Sequence, residues 1–190
     1  FFRPTSAQKQ DPIILMIGAM NVFRNVDAAV WFATGMFPKV KQNIPDAQFW
    51  IVGSSPDKKV LALQTIPGVV VTGRVEDVRS YYEKASVCVA PFRFGEGTRL
   101  KILEAMAMGV PIVTTEMGCQ GIEVVDGQHI LIANTEADFS GRVIELLRDR
   151  QQAQALAEAA RALVEEKYRW EEIIGGLEPK LLALVQQRRR

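Results

Sequence analysis

The chain has few of the residues that build disulfide frameworks, metal sites and general-base catalysis. Its 190 residues include two cysteines and one histidine. Cys88 lies in an apolar run and Cys119 in a glycine-containing loop far along the chain, so neither a disulfide framework nor a metal knuckle is expected. His129 opens an apolar run after a turn, which favours a packed strand residue over a catalytic base. This cysteine usage fits a reducing compartment, and we expect a cytoplasmic protein.

Three longer patterns are also missing. No apolar run approaches the roughly 18 to 20 residues that cross a bilayer. The formal net charge is only +1, and Lys and Arg are spread along the chain except for the last three residues, so nothing indicates a nucleic-acid partner. Neither GxGxxG nor the Walker pattern occurs, which argues against a nicotinamide enzyme and a P-loop nucleoside triphosphatase.

The chain does contain six short apolar runs that alternate with helical patterns, and 48% hydrophobic content suffices for one core. The runs are almost continuously apolar, as strands of a parallel sheet covered on both faces must be. We expect strands at Ile13 to Ile17, Ala47 to Val52, Val69 to Thr72, Ser86 to Ala90, Pro111 to Thr115 and His129 to Ala133.

The segments between these runs are long enough for crossover helices, at 24–42, 57–65, 76–85 and 98–108. Helical periodicity without strands follows at 135–148, 150–168 and 170–187. The sequence therefore predicts an α/β fold: a doubly wound, Rossmann-like parallel sheet of about six strands, with helices on both faces and a helical carboxyl-terminal segment. Residues 1–12 read as an extended connector, 13–169 as the domain and 170–190 as a terminal helix.

Glycines follow several of the predicted strands at the edge where such sheets bind ligands. They are Gly18, Gly53 and Gly73, with Gly95 and Gly97 after the fourth strand. A single glycine after a strand often only makes the turn. The whole set at one edge indicates a ligand site.

The helix that follows the fourth strand has an unusual first turn. Thr98 is a plausible N-cap and Gly109 a plausible stop. Arg99 and Lys101 place cations at the positive end of the helix dipole, at a cost of roughly 0.3 to 1 kcal/mol per charge. A phosphate or diphosphate bound there, also contacted by amides from the Gly95 loop, would make the interaction of these cations favourable. Alternatively, both side chains extend into water.

Two carboxylates accompany this helix start. Glu104 lies one turn further along on an apolar stripe, where the 2′ and 3′ hydroxyls of a ribose would suit its two oxygens. Glu96, in the loop, can approach the far side of the same diphosphate. The alternatives are a Glu104 paired with a Lys or Arg, and a solvated Glu96.

At this stretch the sequence resembles the retaining GT-B glycosyltransferases of family 4 (group 1). EGTRLKILE fits the E-x7-E spacing of that family, and LEAMAMGVPIVTT is similar to its helix-Gly-Pro-strand segment. MIGAMNVFRNVDAAVWF, FWIVGSSP, VTGRVEDVRSYYEKASVCVAPFR and GIEVVDGQHILI look like other parts of the same carboxyl-terminal domain, especially in bacterial polysaccharide sugar transferases. The resemblance extends from about Ile13 to the last helix.

The resemblance implies one half of a GT-B enzyme of the hexosyltransferase type. This half would bind a nucleoside-diphosphate sugar, with UDP or GDP as its nucleotide, and a preceding Rossmann-like half would bind a glycan or lipid-linked acceptor. The isolated half would be inactive. The terminal helix would cross to the other half, so the isolated half should expose some of its apolar stripe of Trp170, Ile173, Ile174, Leu177, Leu181 and Leu184. Such an enzyme works in the cytoplasm, with peripheral membrane association possible for the full-length protein.

Carried over residue by residue, the resemblance implies that Glu104 holds the ribose and Glu96 contacts the donor sugar or its phosphates. Backbone around Gly73, Arg74 and Val75 would meet the base. The family often has an Arg just after the glycine of its first strand and a Lys five residues on.

At those two positions this chain has Ala19 and Arg24, so we assign more of the phosphate contact to Arg99 and Lys101. The chain also has EGT where many members have EGFG. No Asp-x-Asp metal motif occurs. We therefore expect metal independence and no cofactor besides the sugar nucleotide.

Two other functions remain open at this point. A sugar-nucleotide 2-epimerase shares the GT-B architecture but needs acid and base residues in the cleft, and one histidine supplies these poorly. A non-catalytic nucleotide-binding module would need affinity but no group at the scissile bond, so Glu96 and Lys101 argue against it.

Overall fold

The computed structural model describes Phe2, residues 11–95, Gly97 and residues 100–168. Two predicted segments fall outside this part of the chain. They are most of the connector, at residues 1 and 3–10, and the terminal helix at 170–190 with its apolar stripe.

The described residues form one sheet of six parallel strands in the order β3-β2-β1-β4-β5-β6, which confirms the predicted fold class. Most strand residues are buried because helices cover both faces, and the edge strand β3 is the exception, with only Val69 buried. Their bounds are β1 Ile13–Ile17, β2 Gln48–Val52, β3 Val69–Gly73, β4 Val87–Ala90, β5 Ile112–Thr114 and β6 Leu131–Ile132.

The last strand is shorter than the predicted run from His129 to Ala133. The backbone N–H of Ile132 donates to Oδ1 of Asp126, and Nδ1 of His129 accepts from the backbone N–H of Val125. These side-chain contacts hold the turn that precedes β6. His129 is half-buried just before β6, in the Asp126 to Ile130 turn, and it is not a strand residue.

Helices occupy the predicted crossover segments and most of the described chain after β5. They are α1 Phe23–Trp31, α2 Phe37–Asn43, α3 Lys58–Ala62, α4 Arg79–Lys84, α5 Leu100–Ala107, α6 Glu116–Cys119, α7 Glu136–Arg148 and α8 Arg150–Lys167. The short α6 is not predicted from the sequence. Helix α5 ends before Gly109, whose φ of 63° matches its predicted role as a stop.

The single helix predicted at 24–42 is interrupted by a π-helical turn at Phe32–Met36. Pro38 has no N–H to donate to Thr34, so the α-helical ladder cannot pass through it. The N–H of Phe37 instead bonds to the carbonyl oxygen of Phe32, five residues back. The break therefore has a local cause in the proline.

Aromatic side chains join the helices to the sheet on one face. The ring of Phe32 lies 4.6 Å from that of Phe49 on β2 and 5.9 Å from that of Phe139 on α7, and all three are fully buried. On the other face α8 packs on α5. Helix α8 starts at its own cap, because Oδ1 of Asp149 accepts from the N–H of Gln152.

This strand order places a topological switch point between β1 and β4. The chain leaves these neighbouring strands toward opposite edges of the sheet, which opens a crevice beyond their carboxyl ends. The segments that follow β1, from Gly18, and β4, from Pro91, flank this crevice. Among the described residues, no helix is both long and apolar enough to cross a membrane.

Candidate functional site

The glycines that end β1, β2 and β3 lie in one hydrogen-bonded row. The N–H of Gly18 donates to the carbonyl oxygen of Val52 at 3.0 Å, and that of Gly53 donates to Gly73 at 3.2 Å. A Cβ on Gly53 would lie 1.7 Å from the carbonyl oxygen of Gly18, so no side chain fits there. Gly73 has open space around it and a φ of 72°, so its requirement is conformational.

Lys101 reaches from α5 across the switch point to α1. Its Nζ donates a hydrogen bond of 3.1 Å to Oδ1 of Asn25 and lies 5.1 Å from the ring centre of Phe92. A Cβ on Gly18 would be 2.6 Å from the same Nζ. The ammonium group therefore lies at the carboxyl end of β1, in the crevice where the sequence predicts phosphate.

Glu104 lies one turn further along α5 and is half-buried. The phenol of Tyr82 on α4 donates to Oε2 of Glu104 at 3.2 Å. Tyr82 is 1% exposed, and burial, followed by the charges of Cys88 and Glu104, raises its pKa well above the ordinary 10.0. The neutral phenol is thus a fixed hydrogen-bond donor to the carboxylate that the sequence singles out for ribose.

Three other predicted site residues lie in two places, Arg24 at the start of α1 and Arg74 and Val75 after β3. Arg24 is exposed in the first turn of α1, next in sequence to Asn25. Arg74 is exposed and Val75 half-buried just after β3. Since β3 lies two strands from β1, the two strand ends are about 10 Å apart.

The loop after β4 is fastened to α1. The guanidinium of Arg93 bonds to the carboxylate of Asp27, with Nε 3.0 Å from Oδ2, and lies 4.9 Å from the ring centre of Trp31. The rings of Phe23 and Phe94 stack at 5.3 Å. These contacts hold one wall of the crevice in place.

Further along this loop, Gly95 and Gly97 have φ values of 103° and 89°, a backbone conformation that favours glycine. The loop thus adopts a shape that L side chains rarely take. The predicted site residues Glu96, Thr98 and Arg99 lie outside the described residues.

Asn25, Tyr82 and Phe92 are site residues that sequence reasoning missed. Asn25 is 4% exposed, so a polar side chain occupies the buried face of α1. That mismatch between a polar residue and an apolar stripe was the available signal. Tyr82 and Phe92 gave none, because an aromatic residue in a core is unremarkable.

The described residues include no group of three His, Cys, Asp or Glu side chains that could hold a metal ion. Cys88 and Cys119 are both buried, and neither forms a disulfide. Burial raises the pKa of the Cys119 thiol, which opposes a role as a nucleophile.

The chain is similar to known proteins over most of its length. The sequence model described as "Glycosyl transferases group 1" matches residues 11–149. A GDP-mannose-dependent monoacylated alpha-(1-6)-phosphatidylinositol monomannoside mannosyltransferase of Corynebacterium glutamicum is 32% identical over 146 residues, covering 70% of this chain and 38% of that protein. The chain spans less than half the length of the curated relatives it matches.

Solved structures share the fold. TarM of S. aureus, crystallised with fondaparinux, alpha-GlcNAc-glycerol and UDP, superposes with a TM-score of 0.77 at 20% identity, covering 91% of this chain and 36% of TarM. The carboxyl-terminal domain of LpcC, a glycosyl transferase group 1 family protein of Francisella tularensis, superposes with a TM-score of 0.69 at 18% identity, covering 89% of this chain and 96% of that domain.

Proposed function

The chain belongs to the group 1 glycosyl transferases, and on that premise we propose that it is the half of such an enzyme that binds the sugar nucleotide. The substrate is a nucleoside-diphosphate sugar, and the sugar passes to a glycan or lipid-linked acceptor. The acceptor is bound by an amino-terminal half. The short share of each relative's length that this chain covers supports that division.

The observation that carries the proposal is the placement of Lys101 and Glu104 on α5 at the switch point. The cation lies at the carboxyl end of β1 and the carboxylate one turn deeper. A diphosphate at Lys101 would bring the ribose hydroxyls toward Glu104, and the base would extend toward Gly73, Arg74 and Val75. The distance of about 10 Å between the β1 and β3 ends accommodates that arrangement.

The chemistry follows from the charge that develops when the sugar-phosphate bond breaks. Negative charge grows on the leaving diphosphate, and cations aimed at it lower the barrier. Lys101 supplies positive charge at the diphosphate, together with Arg24 and Arg99. The backbone amides near Gly95, Gly97 and Thr98 donate hydrogen bonds to it. Glu96 contacts the transferred sugar, transfer proceeds with retention, and no metal takes part.

The cellular setting belongs to the same proposal. The enzyme works in the cytoplasm, in peripheral contact with the inner face of the membrane when its acceptor is lipid-linked. The phosphatidylinositol mannoside named for the Corynebacterium relative supports a lipid-linked acceptor.

Calorimetry of the 190-residue chain with UDP, GDP and ADP tests the proposal. We expect weak binding of one of the three and a loss of about tenfold or more in affinity for Lys101→Ala and for Glu104→Ala. Lys84→Ala, which removes an exposed lysine at the end of α4, is the matched control and should bind normally. Absence of binding to all three nucleotides contradicts the proposal, as does an equal loss for Lys84→Ala.

A second assay tests the division into halves. We expect no transfer of sugar from UDP-, GDP- or ADP-sugars by these 190 residues, because the acceptor side of the cleft is supplied by another domain. Turnover by this chain alone would contradict the half-enzyme assignment.

A further inference from the structure

Among the described residues, the Lys101 ammonium lies against Gly18, Asn25 and Phe92, which we together call the ammonium seat. Asn25 accepts its hydrogen bond at 3.1 Å, and the ring of Phe92 lies 5.1 Å from it. Gly18 leaves room for the ammonium group, because it has no side chain. Gly18 and Phe92 come from the loops after β1 and β4, and Asn25 comes from α1, so the seat exists only in the folded chain.

The orientation of the Asn25 amide is determined by its other hydrogen bond. Its Nδ2 donates to the carbonyl oxygen of Ala19 at 2.8 Å, and a carbonyl oxygen can only accept. Nδ2 must therefore face Ala19, and Oδ1 must face Lys101. With the side chain 4% exposed, the amide is held as an acceptor aimed at the ammonium.

Folding alone would be served by an apolar side chain at this position. A buried amide costs free energy unless both of its ends are hydrogen-bonded, whereas a leucine or methionine would pack without that requirement. One of the two partners of Asn25 is the cation of the predicted diphosphate site. The buried Asn25 amide therefore serves to position the Lys101 ammonium.

The absence of a side chain at Gly18 has the same explanation. Gly18 does not have a positive φ, so its backbone would accept other residues. A Cβ there would lie 2.6 Å from Nζ of Lys101 and 2.8 Å from Nδ2 of Asn25. Its nearest neighbours are thus the two side chains of this contact, and a methyl group would push the flexible end of Lys101 out of its seat.

We propose that Asn25 and Gly18 are positioning residues of the diphosphate site, which hold the Lys101 ammonium at the carboxyl end of β1 where it meets the donor's diphosphate. The inference rests on the proposed function. Neither residue needs to touch the nucleotide. Both act through Lys101, because the hydrogen bond to Asn25 and the room at Gly18 favour the rotamer that places the ammonium over the crevice.

A double-mutant cycle tests this positioning role. Affinities of native chain, Asn25→Ala, Lys101→Ala and the double variant are measured by calorimetry with the nucleoside diphosphate that binds, and by ligand-observed NMR with its nucleoside. We expect Asn25→Ala to weaken diphosphate binding about five- to tenfold, nucleoside binding less than about twofold, and diphosphate binding in the Lys101→Ala background less than about twofold.

Gly18→Ala supplies a second variant should Asn25→Ala fold poorly. We expect it to weaken diphosphate binding in the same range without weakening nucleoside binding. Gly141→Ala, at a helical glycine with no atom within 4 Å of the added Cβ, is the matched control and should bind normally.

The outcomes separate the two proposals. If the native chain binds and Lys101→Ala weakens binding, but Asn25→Ala and Gly18→Ala do not, the positioning role is wrong and the proposed function stands. A full Asn25→Ala effect that persists in the Lys101→Ala background also overturns the role, since Asn25 then acts through the fold. Failure of the native chain to bind any nucleotide overturns both.

Discussion

The phenol of Tyr82 donates to the carboxylate of Glu104 across the interface between α4 and α5, at 3.2 Å. The phenol oxygen of Tyr82 also lies 3.3 Å from the carbonyl oxygen of Lys101. One buried hydroxyl thus contacts both residues that the sequence selects for the nucleotide. Tyr82 is 1% exposed and cannot itself meet a ligand. Its contribution is to fix the start of α5 and the Glu104 carboxylate together.

Removal of this hydroxyl should weaken nucleotide binding. For Tyr82→Phe we expect a destabilisation of about 1 kcal/mol and a severalfold loss of nucleoside-diphosphate affinity, because Glu104 loses its buried partner. Thermal unfolding and calorimetry measure the two effects. Tyr81→Phe is the control, since the adjacent Tyr81 packs its ring against Trp50 at 5.9 Å. Unchanged affinity for Tyr82→Phe would show that Glu104 needs no such support.

The raised pKa of Tyr82 predicts a loss of stability in alkali. The folded chain keeps the phenol proton at a pH where the unfolded chain, with its ordinary value of 10.0, has lost it. The contribution is therefore complete below about pH 10 and is lost as the pH rises toward the folded pKa. Between about pH 9 and pH 11 the melting temperature should fall more steeply for the native chain than for Tyr82→Phe. Parallel curves would be inconsistent with this assignment.

Recognition of ribose by Glu104 can be isolated with a modified ligand. The native chain should bind a nucleoside diphosphate at least about tenfold more tightly than its 2′,3′-dideoxy analogue, because the carboxylate accepts from both hydroxyls. Glu104→Ala should bind the two ligands equally. Glu158→Ala, on the exposed side of α8, should retain the preference. A preference that survives in Glu104→Ala would place the ribose elsewhere.

Gly53 should be intolerant of any side chain. Its Cβ would lie 1.7 Å from the backbone oxygen of Gly18, so β1 and β2 would have to separate at the edge of the crevice. We expect Gly53→Ala to destabilise the fold by about 3 kcal/mol or more in urea unfolding. Gly141→Ala, in the interior of α7, should stabilise it by about 0.5 to 1 kcal/mol. Native-like stability of Gly53→Ala would contradict the packing described at this edge.

Metal independence predicts that nucleotide affinity does not respond to divalent ions. Calorimetry with the tightest of the three nucleotides should give the same affinity, within about twofold, in EDTA and in millimolar Mg²⁺ or Mn²⁺. We propose that Lys101, Arg99 and Arg24 neutralise the diphosphate charge. A gain of tenfold or more with a metal would show that protein cations do not suffice.

The strands were predictable because residues covered on both faces must be apolar along nearly their whole length. Ile13–Ile17 was located to the residue, and each of the other strands differs from its predicted range by one or two residues at one or both ends. The π-helical turn was not predicted, although Pro38 made a break in that helix a reasonable expectation. Helix α6, four residues long, has too few positions to show a period.

The site was partly predictable for a related reason. Lys101 and Glu104 stand out because charges at the start of a helix and on an apolar stripe are costly unless something pairs with them. The hydrogen bonds described for them are to Asn25 on α1 and to Tyr82 on α4, which are 76 and 22 residues away along the chain. Spacing along one helix carries no information about such contacts.

The sequence by itself determined the parallel sheet, the presence of its crossover helices and the edge at which glycines and charges gather, because those features depend on local periodicity and on the chemistry of single residues. Only the tertiary structure decided that the Lys101 ammonium lies against Gly18 and that Tyr82 faces Glu104. Those contacts join elements that become neighbours when the strands take the order β3-β2-β1-β4-β5-β6. These contacts form because a polar group that becomes buried on folding must find a hydrogen-bond partner among its new neighbours.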